Sequence, residues 1–171
     1  MNVHPSADDL QTAADAALRL FPQPVAVVGA ARGGELGGPT AAWVTRVSMA
    51  PPLVLVSIGH ARRTFDLLED AAEFTVSLLA DGQVAEARLF GLHSRRERDK
   101  WAETPHVLLG RGVPALARCA ARLLCALEGR FTTGDHDCLV GRVVEAEVVQ
   151  GGPALPLRGA DYAPDRAADA G

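Results

Sequence analysis

The sequence predicts a mainly antiparallel β fold, a closed or split barrel with short helices, and three observations carry that prediction. Six or more apolar or β-branched runs are separated by segments too short for the alternating long helices of a parallel doubly wound sheet. The glycines of Gly33-Gly34-Glu35-Leu36-Gly37-Gly38 do not spell G-x-G-x-x-G before a helix, nor a run ending in Gly-Lys-Ser/Thr. They read as a hairpin turn, not as a phosphate cradle. Two long apolar runs, Ala121–Phe131 and Cys138–Gln150, flank Gly134-Asp135-His136, as expected for an antiparallel pair closed by a tight turn.

In chain order, Ser6 and Asp9 form a capping-box pattern, and Leu10, Ala14, Ala17 and Leu18 recur at helical spacing. An amphipathic helix is therefore expected over about 7–20, ended by Phe21-Pro22. Pro24–Ala31 reads as a buried strand and Arg32–Gly38 as a turn. Thr40–Ser48 and Leu53–Ile58 are β-branched strands separated by a corner at Pro51-Pro52, a pair unable to sit in a central ladder. Arg62–Ala71 has helical spacing with Thr64 as a cap, Phe74–Leu79 returns to a strand, and Gln83–Phe90 is a second short helix. The basic segment Gly91–Lys100 is expected to lie on the surface as a loop or short helix. The tail from Pro153 carries little pattern and is expected to fray, above all over 161–171.

A chain of 171 residues with 48% apolar residues can bury a core as one domain spanning 1–171, with its core at about 20–160. The net charge of −4 gives no global attraction to nucleic acid or to an anionic membrane. Of 17 Lys and Arg residues only Lys100 is a lysine, so an individual Arg is a weak functional signal here. Cys119, Cys125 and Cys138 are odd in number and lack C-x-x-C spacing, so they read as small apolar residues rather than disulfides or zinc ligands. His60, His93 and His106 share no metal spacing and read as surface histidines. No basic-then-apolar leader or membrane-length apolar run is visible, and a cytoplasmic protein is expected.

Two places suggest chemistry. Gly134-Asp135-His136 puts a carboxylate and an imidazole at a loop tip, where they can meet a ligand; a plain hairpin turn uses the same Gly and Asp. Arg62, Arg63 and Thr64 stand together where a helix is expected to begin, an arrangement suited to an anion. A second basic cluster, Arg95, Arg96, Arg98 and Lys100, precedes Trp101.

These landmarks resemble a known family. Phe21-Pro22, the strand Val25–Ala30, the run Gly38-Pro39-Thr40-Ala41-Ala42-Trp43-Val44-Thr45-Arg46-Val47-Ser48, Pro51-Pro52-Leu53-Val54, Phe74–Leu79 and Gly134-Asp135-His136 stand in the order found in the flavin reductase family. The resemblance implies an antiparallel Greek-key split barrel binding FMN, or FAD, as a homodimer, with NAD(P)H as co-substrate. It implies an NAD(P)H:flavin oxidoreductase supplying reduced flavin to a separate flavin-dependent monooxygenase. It places Thr40, Ala41, Ala42, Trp43, Thr45 and Ser48, with Ser57 of the next strand, around the ring and ribityl chain. Arg62, Arg63, Thr64 and Lys100 are then expected at the phosphate, and Gly134, Asp135 and His136 beside flavin and nicotinamide. His136 and Asp135 are the expected catalytic pair, in a positioning role more than an acid/base one. Pro24, Ala26 and Ala42 replace Gly, Thr and Asn or Ser often found in the family, which points to a weaker flavin site. Two further readings stay open: a flavoprotein with bound FMN that carries electrons or acts on a small molecule, and a ligand-binding split-barrel dimer without turnover.

Overall fold

The computed structural model describes residues 6–60, 65–69, 71–93 and 98–162. Helix α1 (Ala7–Leu18) starts at a full capping box, Ser6 Oγ accepting from the Asp9 amide, and buries no residue. The strands that follow are β1 (Ala26–Arg32), β2 (Glu35–Gly37), β3 (Thr40–Ala41), β4 (Val44–Ser48) and β5 (Leu53–Gly59). Next come α2 (Phe65–Glu69), β6 (Glu73–Leu78) and α3 (Val84–Leu92). After these lie β7 (His106–Leu109), β8 (Val113–Leu116), β9 (Ala121–Thr133) and β10 (His136–Val148). The main sheet runs β2-β1-β6-β9-β10-β5-β4, with β3 also on β1; every pairing is antiparallel.

The segment expected as one strand over Thr40–Ser48 is two. β3 pairs with β1 at one end of the sheet and β4 with β5 at the other, so a single stretch of chain closes the barrel. The bend falls at Ala42-Trp43, where the Val44 amide donates to Ala42 O at 3.1 Å and the Ser57 amide to Trp43 O at 2.9 Å.

Three further expectations are corrected. The turn over Arg32–Gly38 narrows to Gly33-Gly34, both at positive φ, because Glu35–Gly37 pairs back on β1. Pro105–Leu116, with no expected element, contains the β7–β8 hairpin. The tail does not fray at Pro153: Leu155 is buried, its amide donates to Leu79 O and its carbonyl accepts from the Val25 amide, which stitches it between β1 and β6. Residues 163–171 lie outside the described residues.

Two apolar clusters hold these elements. Ala26, Val28 and Ala30 of β1 face the barrel interior with Val54, Val56, Ile58, Phe74, Val76, Cys125 and Leu139. Val25 and Val27 point the other way, into Leu79, Ala87, Phe90, Trp101, Leu116 and Leu155. Burial on both faces explains why β1 reads as an unbroken apolar run. Each buried Val, Leu or Phe contributes about 1.5–3 kcal/mol, so these clusters dominate stability. Gly141 fits here because a Cβ would run into the Phe74 ring and Cys125 Cβ.

Candidate functional site

A cavity of about 570 Å³ opens at the end of the barrel, within the range of small-molecule sites. Its lining comes from three places. Pro39–Trp43 supplies the bend between β3 and β4, Ser57–His60 the end of β5, and Asp135-His136 the β9–β10 turn; Gly91, Leu92 and Leu157 complete it. The register explains the convergence. His136 pairs with Gly59 and Cys138 with Ser57, so by strand alternation Ser57, Gly59 and His136 share one face of the β5–β10 pair. A Cβ on Gly59 would meet His136 Nε2 at 3.3 Å, so Gly59 leaves room for the imidazole.

The turn itself is two residues, Gly134 and Asp135, between the paired Thr133 and His136. Gly134 has φ +58 and, among the described residues, no non-glycine residue has positive φ, the pattern of a hairpin turn with Gly at its first central position. A Cβ on Gly134 would meet no protein atom within 4 Å, and Gly134 is not among the lining residues, so within the chain its requirement is the positive φ of the turn. Asp135 accepts from His136 Nδ1 at 2.6 Å, and that bond holds its carboxyl below the usual range. The His136 ring lies 4.5 Å from the Trp43 ring, tilted by 36°. Trp43, half exposed, is thus part of the cavity wall and not a core residue.

On the opposite face of the same strands sits an unexpected network. Asp137 pairs with Ile58 across β5–β10, and His60 lies two residues beyond Ile58 on that face. The Asp137 carboxylate, with only 7% of its side chain exposed, accepts from His60 Nε2 at 2.8 Å, Arg130 Nε at 2.5 Å and Thr132 Oγ1 at 2.8 Å. The His60 bond foremost, then Arg130, lowers its pKa to about 2. Arg130 also donates to Glu69 O at 3.0 Å, tying the network to α2. His60 is therefore not a plain surface histidine: it lines the cavity and is anchored from below. The only trace in the sequence was a carboxylate opening an apolar run, which alternation alone cannot distinguish from an exposed strand start.

Among the other expected site residues, Thr40, Ala41, Ala42, Trp43 and Ser57 line the cavity. The Thr40 hydroxyl donates to Ala87 O at 2.8 Å, which fastens β3 to α3. Thr45 and Ser48 are not among the lining residues, because β4 runs away from the bend toward its pairing with Leu55 and Leu53. Lys100 is corrected outright. It is buried, and its ammonium donates to Gly38 O at 2.9 Å and to Phe90 O and His93 O at 3.2 Å. It clamps Gly38, just before β3, to the C-terminal end of α3 through three carbonyls and does not line the cavity. Arg98 is exposed and paired with Glu103. Arg62, Arg63 and Thr64, and likewise Arg95 and Arg96, lie outside the described residues. Trp101 is core, packed edge-on against Phe90 at 4.7 Å. Burial pushes the Cys119 and Cys125 thiols up to about 11 and about 12, as for inert core thiols. Among the described residues no group of His, Cys, Asp and Glu is arranged to hold a metal, and no helix is long and apolar enough to cross a membrane.

Comparison with known proteins converges on one family. The flavin reductase like domain matches residues 18–163. An NADH-dependent FAD reductase of Streptomyces globisporus is 38% identical over 128 residues, covering 74% of this chain and 70% of the relative. The reductase component of a 4-hydroxyphenylacetate 3-monooxygenase from Thermus thermophilus is 35% identical, covering 81% and 86%. Among solved structures, the Streptomyces globisporus C-1027 NADH:FAD oxidoreductase in complex with NAD and FAD fragments superposes with TM-score 0.76 at 30% identity, covering 97% of this chain and 99% of that one. An FMN-binding protein from Thermus thermophilus with bound 1-cyclohex-2-enone does so with TM-score 0.71 at 39% identity, covering 77% and 74%.

Proposed function

The chain belongs to the flavin reductase-like family, and from that premise we propose that it is an NAD(P)H:flavin oxidoreductase that supplies reduced flavin to a separate monooxygenase. The observation that carries the reading is the cavity at the barrel end, walled by the Trp43–His136 ring pair and by the small residues Ala41, Ala42 and Gly59. Small side chains beside a bent strand admit a flat polycyclic ligand, and the tilted rings give it an aromatic wall. The residues present fit a flavin: Ala41, Ala42, Trp43 and Ser57 would hold it, with Arg62, Arg63 and Thr64 proposed for its phosphate. When bound, flavin supplies the hydride acceptor and NAD(P)H the donor.

The protein's contribution is then geometric. Hydride transfer needs no base on the donor carbon; it needs two rings held close and aligned in a site that excludes water. His136, anchored by Asp135 and flanked by Trp43, holds a hydrogen-bonding edge at the cavity wall. Its role is to position the nicotinamide and to stabilise charge accumulating during transfer.

A homodimer is proposed as well. Phe131, Val144 and Val148 on β9–β10, Val47 in β4 and Met49 just after it are exposed apolar residues, which a second copy would cover. A cytoplasmic location fits this reading. Light scattering is expected to return twice the chain mass of 17.9 kDa; a monomer at micromolar concentration would remove the dimer. The activity is tested by adding NADH or NADPH with free FMN or FAD and following nicotinamide absorbance. Oxidation is expected. A yellow protein inert to both nicotinamides would instead favour a flavoprotein with bound FMN, the reading nearer the FMN-binding structural relative. Replacing Arg62 and Arg63 together by Ala should weaken FMN far more than riboflavin, by about 1.5–3 kcal/mol per charge-assisted bond; equal weakening would refute the phosphate assignment.

A further inference from the structure

The sole lysine of the chain stands where an arginine would not serve. Every other basic residue of the 17 is Arg, yet among the described residues Lys100, 3% exposed, is the only basic one that is buried. Its ammonium donates to Gly38 O at 2.9 Å and to Phe90 O and His93 O at 3.2 Å, and it stands 5.2 Å from the centre of the Phe90 ring. An ammonium presents its donors in a tetrahedral spread, which suits carbonyls arriving from different directions; a guanidinium is a flat fork that suits a carboxylate. The geometry, not the charge alone, calls for lysine here.

The owners of those carbonyls give the clamp its consequence. Gly38 is followed directly by Pro39–Trp43, the bend that walls one side of the cavity, and Phe90 and His93 bracket Gly91 and Leu92, which line it from α3. The last turn of α3 has no basic residue of its own, although its carbonyls form the negative end of the helix dipole. Lys100 supplies that cation from outside the helix. The Thr40 hydroxyl, donating to Ala87 O at 2.8 Å, ties β3 to α3 a second time. Two separate pieces of cavity wall are thus gripped from behind by one ammonium that does not itself line the cavity.

We propose that Lys100 is a positioning residue of the flavin site: it acts on the ligand only through the spacing of the Pro39–Trp43 and Gly91-Leu92 walls, and so governs how firmly the isoalloxazine ring is held. The inference rests on the flavin reading of the cavity and requires no contact between Lys100 and the flavin.

The test separates ring from phosphate. Lumiflavin, which has no tail, and FMN are titrated by fluorescence quenching against the full chain, Lys100→Met and Lys100→Arg, well below each unfolding midpoint. Lys100→Met should weaken both flavins by the same factor, about tenfold or more, the scale of one lost charge-assisted hydrogen bond. Lys100→Arg keeps the charge and should restore neither. Weakening of FMN alone would return Lys100 to the phosphate, and unchanged affinity for both flavins, or full recovery in Lys100→Arg, would equally overturn the proposal.

The wild-type chain gives a readout that needs no stable variant. Because Lys100 is the only lysine, 15N labelling of lysine Nζ yields a single signal. A slowly exchanging ammonium is expected, and its shift should move when lumiflavin saturates the site, since coupling between clamp and ligand is reciprocal. Rapid exchange, or a signal that lumiflavin leaves unmoved, would overturn the coupling. If the wild-type chain binds neither flavin, the flavin reading itself fails, and amide hydrogen exchange on the ligand-free chain still decides the clamp: Lys100→Met should hasten exchange at both Thr40-Ala41 and Gly91–His93 while β9–β10 keeps its rate. Loosening on one side only would refute it.

Discussion

Asp135 and Asp137 sit two residues apart, each bonded to a histidine at the same cavity, and their surroundings make them different objects. Asp135 lies in the turn with 91% of its side chain exposed and has His136 as its side-chain partner. Asp137 lies on the interior face of β10, with 7% exposed and three donors. In water the first pair gains little, since screening and side-chain entropy offset the attraction. In the barrel wall the second is a fixed anion whose partners cannot turn to solvent without leaving it uncompensated. A carboxylate beside an imidazole is therefore adjustable at a loop tip and architectural in a sheet.

The comparison breaks hardest at Asp137. Asp137→Ala is expected to cost about 3 kcal/mol in urea unfolding, near the low end for a broken buried pair because Arg130 and His60 keep some access to water. The pH dependence has a definite sign. The folded carboxyl titrates at about 2 and an unfolded one near 3.9, so the unfolded chain binds the proton more readily between those values. The stability Asp137 contributes is complete above about pH 4 and is lost as pH falls toward 2. Asp137→Asn should remove that component, and an unchanged acid transition would show that other carboxylates cause it.

His136→Ala comes next, and it should act on rate instead of stability. Single-turnover flavin reduction by NAD(P)H is expected to slow by about tenfold or more while unfolding hardly changes. His136→Asn keeps a donor but carries no proton, so its recovery would sharpen the role to positioning. Equal rates in wild type and both variants would reduce the turn to plain architecture. Gly134→Ala should cost about 1 kcal/mol, since φ +58 is strained for any residue with a Cβ. Smallest of all, Asp135→Ala should leave the unfolding midpoint unmoved; a clear shift would erase the contrast with Asp137.

Much of this was legible in the chain. The antiparallel class, the long β9–β10 pair, the Gly134-Asp135 turn and the bracket of Pro39–Trp43 follow from alternation, turn chemistry and the order of the family's landmarks, all of which are local. Trp43 and His136 were nameable, though not their 4.5 Å stack. Lys100 was misplaced for a physical reason: a lysine in a basic run reads as solvated, and only the meeting of Gly38, Phe90 and His93 supplies three carbonyls that make its burial affordable.

The sequence by itself thus determined the family, the class of fold and the wall of the cavity that one stretch of chain provides, because each depends on residues close together along the backbone. The tertiary structure alone decided that Thr40–Ser48 would bend to close the barrel, that Thr45 and Ser48 would leave the site, and that His60 would be held by Asp137, 77 residues away. Those outcomes depend on strand register, and register is set by which faces of distant strands bury together.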